Sequence, residues 1–105
     1  MGWAMTTWLI TRHSGTYEWA TSQGLRFDRT ITHISPESIV DMIKHGDEVY
    51  GNLPLYLIAD ICEHGGRYFQ LDMKVPESKR GEDMSRQDVE QLKPQFNDYK
   101  VERCL

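Results

Sequence analysis

Trp8-Leu9-Ile10-Thr11-Arg12-His13-Ser14-Gly15-Thr16 runs from an apolar segment straight into a turn carrying a cation, an imidazole, a hydroxyl and a glycine. Residues 7–11 read as a strand buried on both faces. A helix-like segment follows at once, with Ser14 placed to cap it and Tyr17, Trp19 and Ala20 as its apolar side. In open α/β proteins ligands bind outside the carboxyl ends of the strands, where loops meet helix N-termini. Anions are favoured there, because unpaired backbone N–H groups and the helix dipole point at them. Arg12 adds a bidentate fork for phosphate, and His13 adds a group that titrates near neutrality. Residues 11–16 therefore read as an anion or phosphate-ester site, with Thr11, Ser14, Gly15 and Thr16 beside Arg12 and His13.

Working outward, Gly24 ends the first helix as a C′ glycine does. Residues 26–34, with Phe27, Ile31 and Ile34, predict a second strand. Ser35-Pro36-Glu37 is a helix start: a cap hydroxyl, a proline at N1 and an acid in the first turn. Ile39, Val40 and Ile43 form its apolar face, and Lys44-His45-Gly46 closes it. Residues 47–50 predict a third strand, with Gly51-Asn52-Leu53-Pro54 as its exit turn. Pro54 suits N1 of a helix whose Leu55, Ile58, Ile61 and Cys62 are apolar at helical spacing, and Gly65-Gly66 ends it. Residues 67–75 alternate strictly, Tyr68, Gln70, Asp72 and Lys74 against Phe69, Leu71, Met73 and Val75, which predicts a strand with one solvated or interface face. Residues 76–84 read as a mobile polar loop centred on Lys79-Arg80-Gly81-Glu82. Ser85 and Asp88 resemble a capping box opening a last helix with Val89, Leu92 and Phe96 apolar, kinked or split at Pro94. Alternating strands and helices predict one α/β domain over residues 1–105, a mostly parallel sheet flanked by helices. The loops at 11–16 and 50–54 then share one rim.

Composition narrows the function. A chain of 105 residues with 39% hydrophobic and 27% charged content has room for one core. A net charge of -4 argues against gripping long nucleic acid, which asks for a basic surplus, and favours a small anion held by a few local cations. Cys62 and Cys104 form no CxxC or Cys/His cluster and read as reduced thiols of a cytoplasmic protein. No apolar run approaches the roughly 18 residues of a membrane span, and no signal peptide is visible. His33, His45 and His64 lie too far apart for metal-ligand spacing, so neither a metal nor a cofactor is expected.

Each candidate has a plainer alternative. Arg12 and His13 bind phosphate and move a proton, or are a surface cation and a loop histidine. The Asn52 amide reads a base edge or a phosphate oxygen, or is a turn residue. Lys79 and Arg80 close over an anion, or are a solvated charge run. Trp8, Trp19, Tyr50 and Tyr56 stack on adenine, or belong to the core. Arg-His-Gly after a strand is the motif of histidine phosphatases, but here Ser14 separates His13 from Gly15, and the chain is too short for that fold.

Taken together, Trp8 to Gly15, Glu18-Trp19, Gly46 to Pro54, then Ala59, Cys62, Gly65, Tyr68, Leu71 to Pro76, and Arg80-Gly81-Glu82 before Ser85 resemble a family of small CRISPR-associated accessory proteins of type III systems. The resemblance runs in order over nearly the whole chain; the order and spacing carry it, not any one piece. It implies a prokaryotic, Rossmann-like (CARF-like) domain related to those that sense cyclic oligoadenylates, acting as a homodimer. It also implies a ring nuclease that cleaves cyclic tetra-adenylate by metal-independent attack of the ribose 2′-OH, or a relative that only sequesters the ring. Arg12 and His13 are then the catalytic pair, with Thr11, Ser14, Gly15, Thr16, Gly51, Asn52, Leu53 and Arg80 against the substrate. Two departures stand out: Asn52 where the family has Thr, and Glu77-Ser78-Lys79 where small residues are common.

Overall fold

The computed structural model describes residues 5–74 and 84–104. Among them run β1 (Thr7–Ile10), α1 (Ser14–Ser22), β2 (Arg29–Ile31), α2 (Pro36–Met42), β3 (Glu48–Gly51), α3 (Leu55–Glu63), β4 (Arg67–Asp72), α4 (Arg86–Gln91) and β5 (Gln95–Tyr99). The sheet order is β2-β1-β3-β4-β5. The first four strands are parallel, and β5 returns antiparallel beside β4. This is the expected α/β architecture, a mostly parallel sheet flanked by helices.

Period-two alternation divides β1 between two layers. Trp8 and Ile10 face a core built with Val49, Tyr68, Ile39, Ile43, Leu57, Ile58 and Ile61, which α2 and α3 close. Leu9, paired across from Tyr50, faces the opposite layer, where α1 packs on α4. Trp8, Leu9 and Ile10 are all buried, so β1 is covered on both faces as its sequence predicts. Each such side chain contributes about 1.5–3 kcal/mol on burial.

Several elements differ from the sequence expectation, each for a local reason. His13, not Ser14, is the N-cap of α1; Ser14 already has helical geometry, and no side chain caps that end. The second strand is only Arg29–Ile31, so Thr32 and His33 fall in the loop beyond it. Val40 is 56% exposed while Ile39 and Ile43, one turn apart, are buried, which leaves Val40 off the apolar face. Tyr68 is fully buried, although it belongs to the more polar row of β4. Its hydroxyl is hydrogen-bonded, so the ring enters the core without stranding a polar atom. The last helix stops at Gln91. Lys93 takes a positive φ of 51° ahead of Pro94, which disfavours helix in its predecessor and has no N–H of its own. The chain therefore reverses, and Phe96 sits on β5 opposite Leu71.

The amino-terminal edge of the sheet is sealed. Asp47, 2% exposed, accepts from the backbone N–H of Thr6 at 2.9 Å, that of Lys44 at 2.9 Å and the indole N–H of Trp8 at 3.3 Å. Gly65, at φ 83°, lies where an added Cβ would stand 2.4 Å from the His45 ring, so this turn requires glycine.

Candidate functional site

β1 pairs with β2 on one side and with β3 on the other, so successive connections leave β1 in opposite directions. That is the switch point at which open α/β sheets bind ligands. A cavity of about 380 Å³ lies there, within the range of roughly 300–1,000 Å³ for small-ligand sites.

Three strand exits build its walls. The exit of β1 brings Thr11, Arg12 and His13. The Thr11 hydroxyl accepts from the His13 backbone N–H at 3.1 Å, which fixes the turn that presents both side chains. The exit of β2 brings Thr32 and His33, with the Thr32 hydroxyl 3.4 Å from His33 Nδ1. The exit of β3 brings Asn52, Leu53 and Pro54, followed by Tyr56 on the first turn of α3. Gly51 permits this approach: a Cβ there would lie 2.7 Å from the Ile10 carbonyl oxygen. Ile10, Ile34 and Leu57 supply the apolar wall.

The electrostatics favour an anion. The chain has 16 Asp and Glu against 12 Lys and Arg, yet the described residues lining this cavity include a guanidinium and two imidazoles and no carboxylate. Arg12 is exposed and makes no hydrogen bond or ion pair with any described residue, so its fork is uncommitted. The helix ends point the same way. α1 and α3 begin without a side-chain cap and without an acid in the first turn. α2 has Ser35 as cap with Glu37 behind it, and α4 has a Ser85–Asp88 capping box. At α1 the Gly15 and Thr16 N–H groups are already taken by the Met84 and His13 carbonyls, so the uncapped helix start that lines the cavity is that of α3.

Of the residues expected at the site, Thr11, Arg12, His13, Asn52 and Leu53 meet at the cavity. Ser14, Gly15, Thr16 and Gly51 are not among its lining. The Gly15 N–H donates to the Met84 carbonyl at 3.1 Å, and an added Cβ would run into residues 84 and 85. That glycine therefore admits the segment leading into α4. The Thr16 N–H donates to the His13 carbonyl at 3.1 Å, and Thr16 is buried. Lys79 and Arg80 lie outside the described residues. Among the four aromatics considered for stacking, Tyr56 alone lines the cavity, 56% exposed. Trp8 is core, and Tyr50 stacks on Phe69 at 4.4 Å within an aromatic group that includes Phe27 and Phe96.

His33 and Thr32 escape the sequence reading because the second strand is drawn three residues past its end at Ile31, which places them inside it. The signal was present, since a strand ending at Ile31 puts both in an exit loop. Among the described residues no group of three His, Cys, Asp or Glu comes together to hold a metal ion, and no helix is long and apolar enough to cross a membrane.

One further chain of contacts fixes the β3 exit. Tyr68 Oη accepts from the Leu53 backbone N–H at 2.9 Å and donates to Gln70 Oε1 at 2.6 Å. Gln70 Nε2 donates to Asn52 Oδ1 at 2.7 Å. Burial pushes the Tyr68 phenol well above its ordinary pKa; the Leu53 N–H pulls the other way, and the Asp72 carboxylate adds to the rise. The hydroxyl therefore stays protonated through the physiological range.

A family model described as "Putative CRISPR-associated protein (Cas_VVA1548)" matches residues 8–102. The chain belongs to this CRISPR-associated family. The matched span takes in β1 from Trp8 on, every described residue lining the cavity and β5, so the candidate site lies within the matched span. No curated protein and no solved structure matches the chain.

Proposed function

We propose that this CRISPR-associated protein is a type III ring nuclease, which binds cyclic tetra-adenylate and cleaves it, switching off the antiviral signal. The observation that carries the reading is the cavity at the β1/β3 switch point, where Arg12, His13, His33 and Asn52 meet the uncapped start of α3 with no carboxylate among the described lining residues. Such a wall suits a phosphodiester whose scissile phosphate gains charge as it reacts.

The chemistry falls to the ligand's own ribose. The 2′-oxygen attacks the adjacent phosphorus, the 5′-oxygen leaves, and the product is a linear strand ending in a 2′,3′-cyclic phosphate. His13 takes the proton from the 2′-OH or gives one to the leaving oxygen. Arg12 neutralises the phosphate, and Tyr56 offers a face on which adenine stacks. Holding the ribose and phosphate in line supplies on the order of 7–11 kcal/mol of the barrier at ideal orientation.

A four-nucleotide ring with near four-fold symmetry outgrows one cavity of about 380 Å³. A two-fold homodimer presenting the cavity twice matches it. Light scattering checks this half of the reading: a monomer at micromolar concentration, with and without ring, removes the shared site.

The deciding experiment incubates the protein with cyclic tri-, tetra- and hexa-adenylate and separates the products. Cut tetramer ending in a 2′,3′-cyclic phosphate, formed equally in EDTA, supports the enzyme. A ring retained intact over hours makes this a sequestering protein, and no binding leaves a structural subunit.

A further inference from the structure

The carboxamide of asparagine can present either its oxygen or its NH2 to a ligand, and exchanging the two reverses what it recognises. At Asn52 the fold removes that freedom. The chain of contacts begins at the Leu53 backbone N–H, the one group in it that can only donate. Because that N–H donates to Tyr68 Oη at 2.9 Å, the phenol spends a lone pair there and turns its own proton to Gln70 Oε1 at 2.6 Å. Gln70 must then offer its Nε2, and Asn52, 2.7 Å away, must receive it on Oδ1. Gln70 is not among the residues lining the cavity, whereas Asn52 is. The Asn52 oxygen thus faces the sheet, and its NH2 lies on the other side of Cγ.

We infer that Tyr68 and Gln70 are positioning residues that lock Asn52 as a hydrogen-bond donor toward the cavity, so that this wall selects a hydrogen-bond acceptor. The ligand assigned to that donor, a phosphodiester oxygen of the ring, rests on the proposed function; the lock itself does not. Bidentate reading of adenine needs the amide oxygen to accept from N6 and the nitrogen to donate to N7. With Oδ1 turned to Gln70, the bidentate pose is disfavoured and the NH2 is the group Asn52 presents, a donor like the Arg12 guanidinium on the neighbouring wall. Tyr68 is fully buried and its phenol is held protonated, so the donor sense is the same at every physiological pH.

Two measurements test this. In the ligand-free, isotope-labelled protein, a scalar coupling across the hydrogen bond is expected from Gln70 Nε2 to Asn52 Cγ. A coupling in the reverse sense, or none, overturns the lock. The second is a double-mutant cycle with cyclic tetra-adenylate as probe. Asn52→Ala is expected to weaken binding on the order of 10-fold, and Tyr68→Phe about 3-fold. In the Asn52→Ala background Tyr68→Phe is expected to cost nothing further, because Tyr68 acts only through Asn52. An equal loss in both backgrounds makes Tyr68 a general support of the fold and overturns the positioning role. The expected coupling in a protein that binds no ring confirms the lock and refutes the proposed ligand, so the two failures stay distinct.

Discussion

At the amino-terminal edge of the sheet the Asp47 carboxylate gathers three N–H groups and is closed from solvent. At the carboxyl edge Arg12 makes no hydrogen bond or ion pair with any described residue, and α3 begins uncapped beside a cavity. Both edges are made of short polar turns with a glycine, and their sequences look alike. Hydrogen-bond accounting separates them. Where every polar group has found a partner inside the chain, removing one should cost stability. Where the described residues supply no partner, as at Arg12, or where a side chain lines the cavity, as at His13, removal should cost binding or rate.

The largest expected effect is at the open edge. His13→Ala should lower the single-turnover rate of ring cleavage by about 10²–10⁴-fold, the usual worth of a general acid or base, with ring affinity near wild type. The melting temperature should stay close to wild type as well. A variant that cuts at the wild-type rate makes His13 a structural loop residue; a variant that melts far lower would break the division between the edges.

The sealed edge should answer the other way. Asp47→Ala leaves three donors facing a buried space, each missing a charge-assisted bond. A loss of roughly 2–4 kcal/mol is expected, by chemical denaturation, with the denaturant slope unchanged. Ring affinity of the folded fraction should be retained. If affinity collapses while stability holds, the two edges are not independent.

Arg12→Ala should have the next largest effect, about 1.5–3 kcal/mol on ring affinity measured by titration. A guanidinium contacts phosphate before and during the reaction, so the cut at saturating ring should change far less than the affinity does. A variant whose affinity is intact and whose saturated rate falls would move Arg12 to the transition state alone.

Much of this division was legible from residue order. The apolar β1 and the Ser35-Pro36-Glu37 start act locally, and the structure places them where local chemistry puts them. The β3 exit shifts by one residue, with Gly51 the last of the strand and Pro54 the N-cap of α3 instead of N1. Reading stopped where a long-range partner decides. Gly15 looks like a phosphate glycine until Met84 arrives at its N–H, sixty-nine positions away in sequence. Phe96 fits a helical stripe until Pro94 and β4 claim it. Asp47 carries no motif at all; its role exists only once Thr6, Trp8 and Lys44 surround it. Tyr68 reads as part of a solvated row, because alternation counts polarity and not whether a hydroxyl has found a donor and an acceptor.

Tyr68 belongs to both regions, its ring in the core and its hydroxyl at the rim, and it sharpens the comparison through pH. Its folded pKa is raised above the unfolded value of 10.0, by burial first and by the Asp72 carboxylate, against the opposing Leu53 N–H. The folded state therefore keeps a proton that the unfolded state releases as pH climbs past 10. The stabilisation from this proton is complete below the unfolded pKa and is lost as pH rises toward the folded one. Between pH 10 and 11 wild type should lose about 1 kcal/mol through this group alone, since one proton is worth about 1.4 kcal/mol per pH unit. Tyr68→Phe starts from a lower stability at neutral pH, having left the Leu53 N–H without its acceptor. It lacks the ionisation, however, so its stability should fall less steeply above pH 10. Parallel stability curves for the two proteins from pH 8 to 11 would mean the Tyr68 hydroxyl is reached by solvent, and that the core does not extend to the rim at this residue.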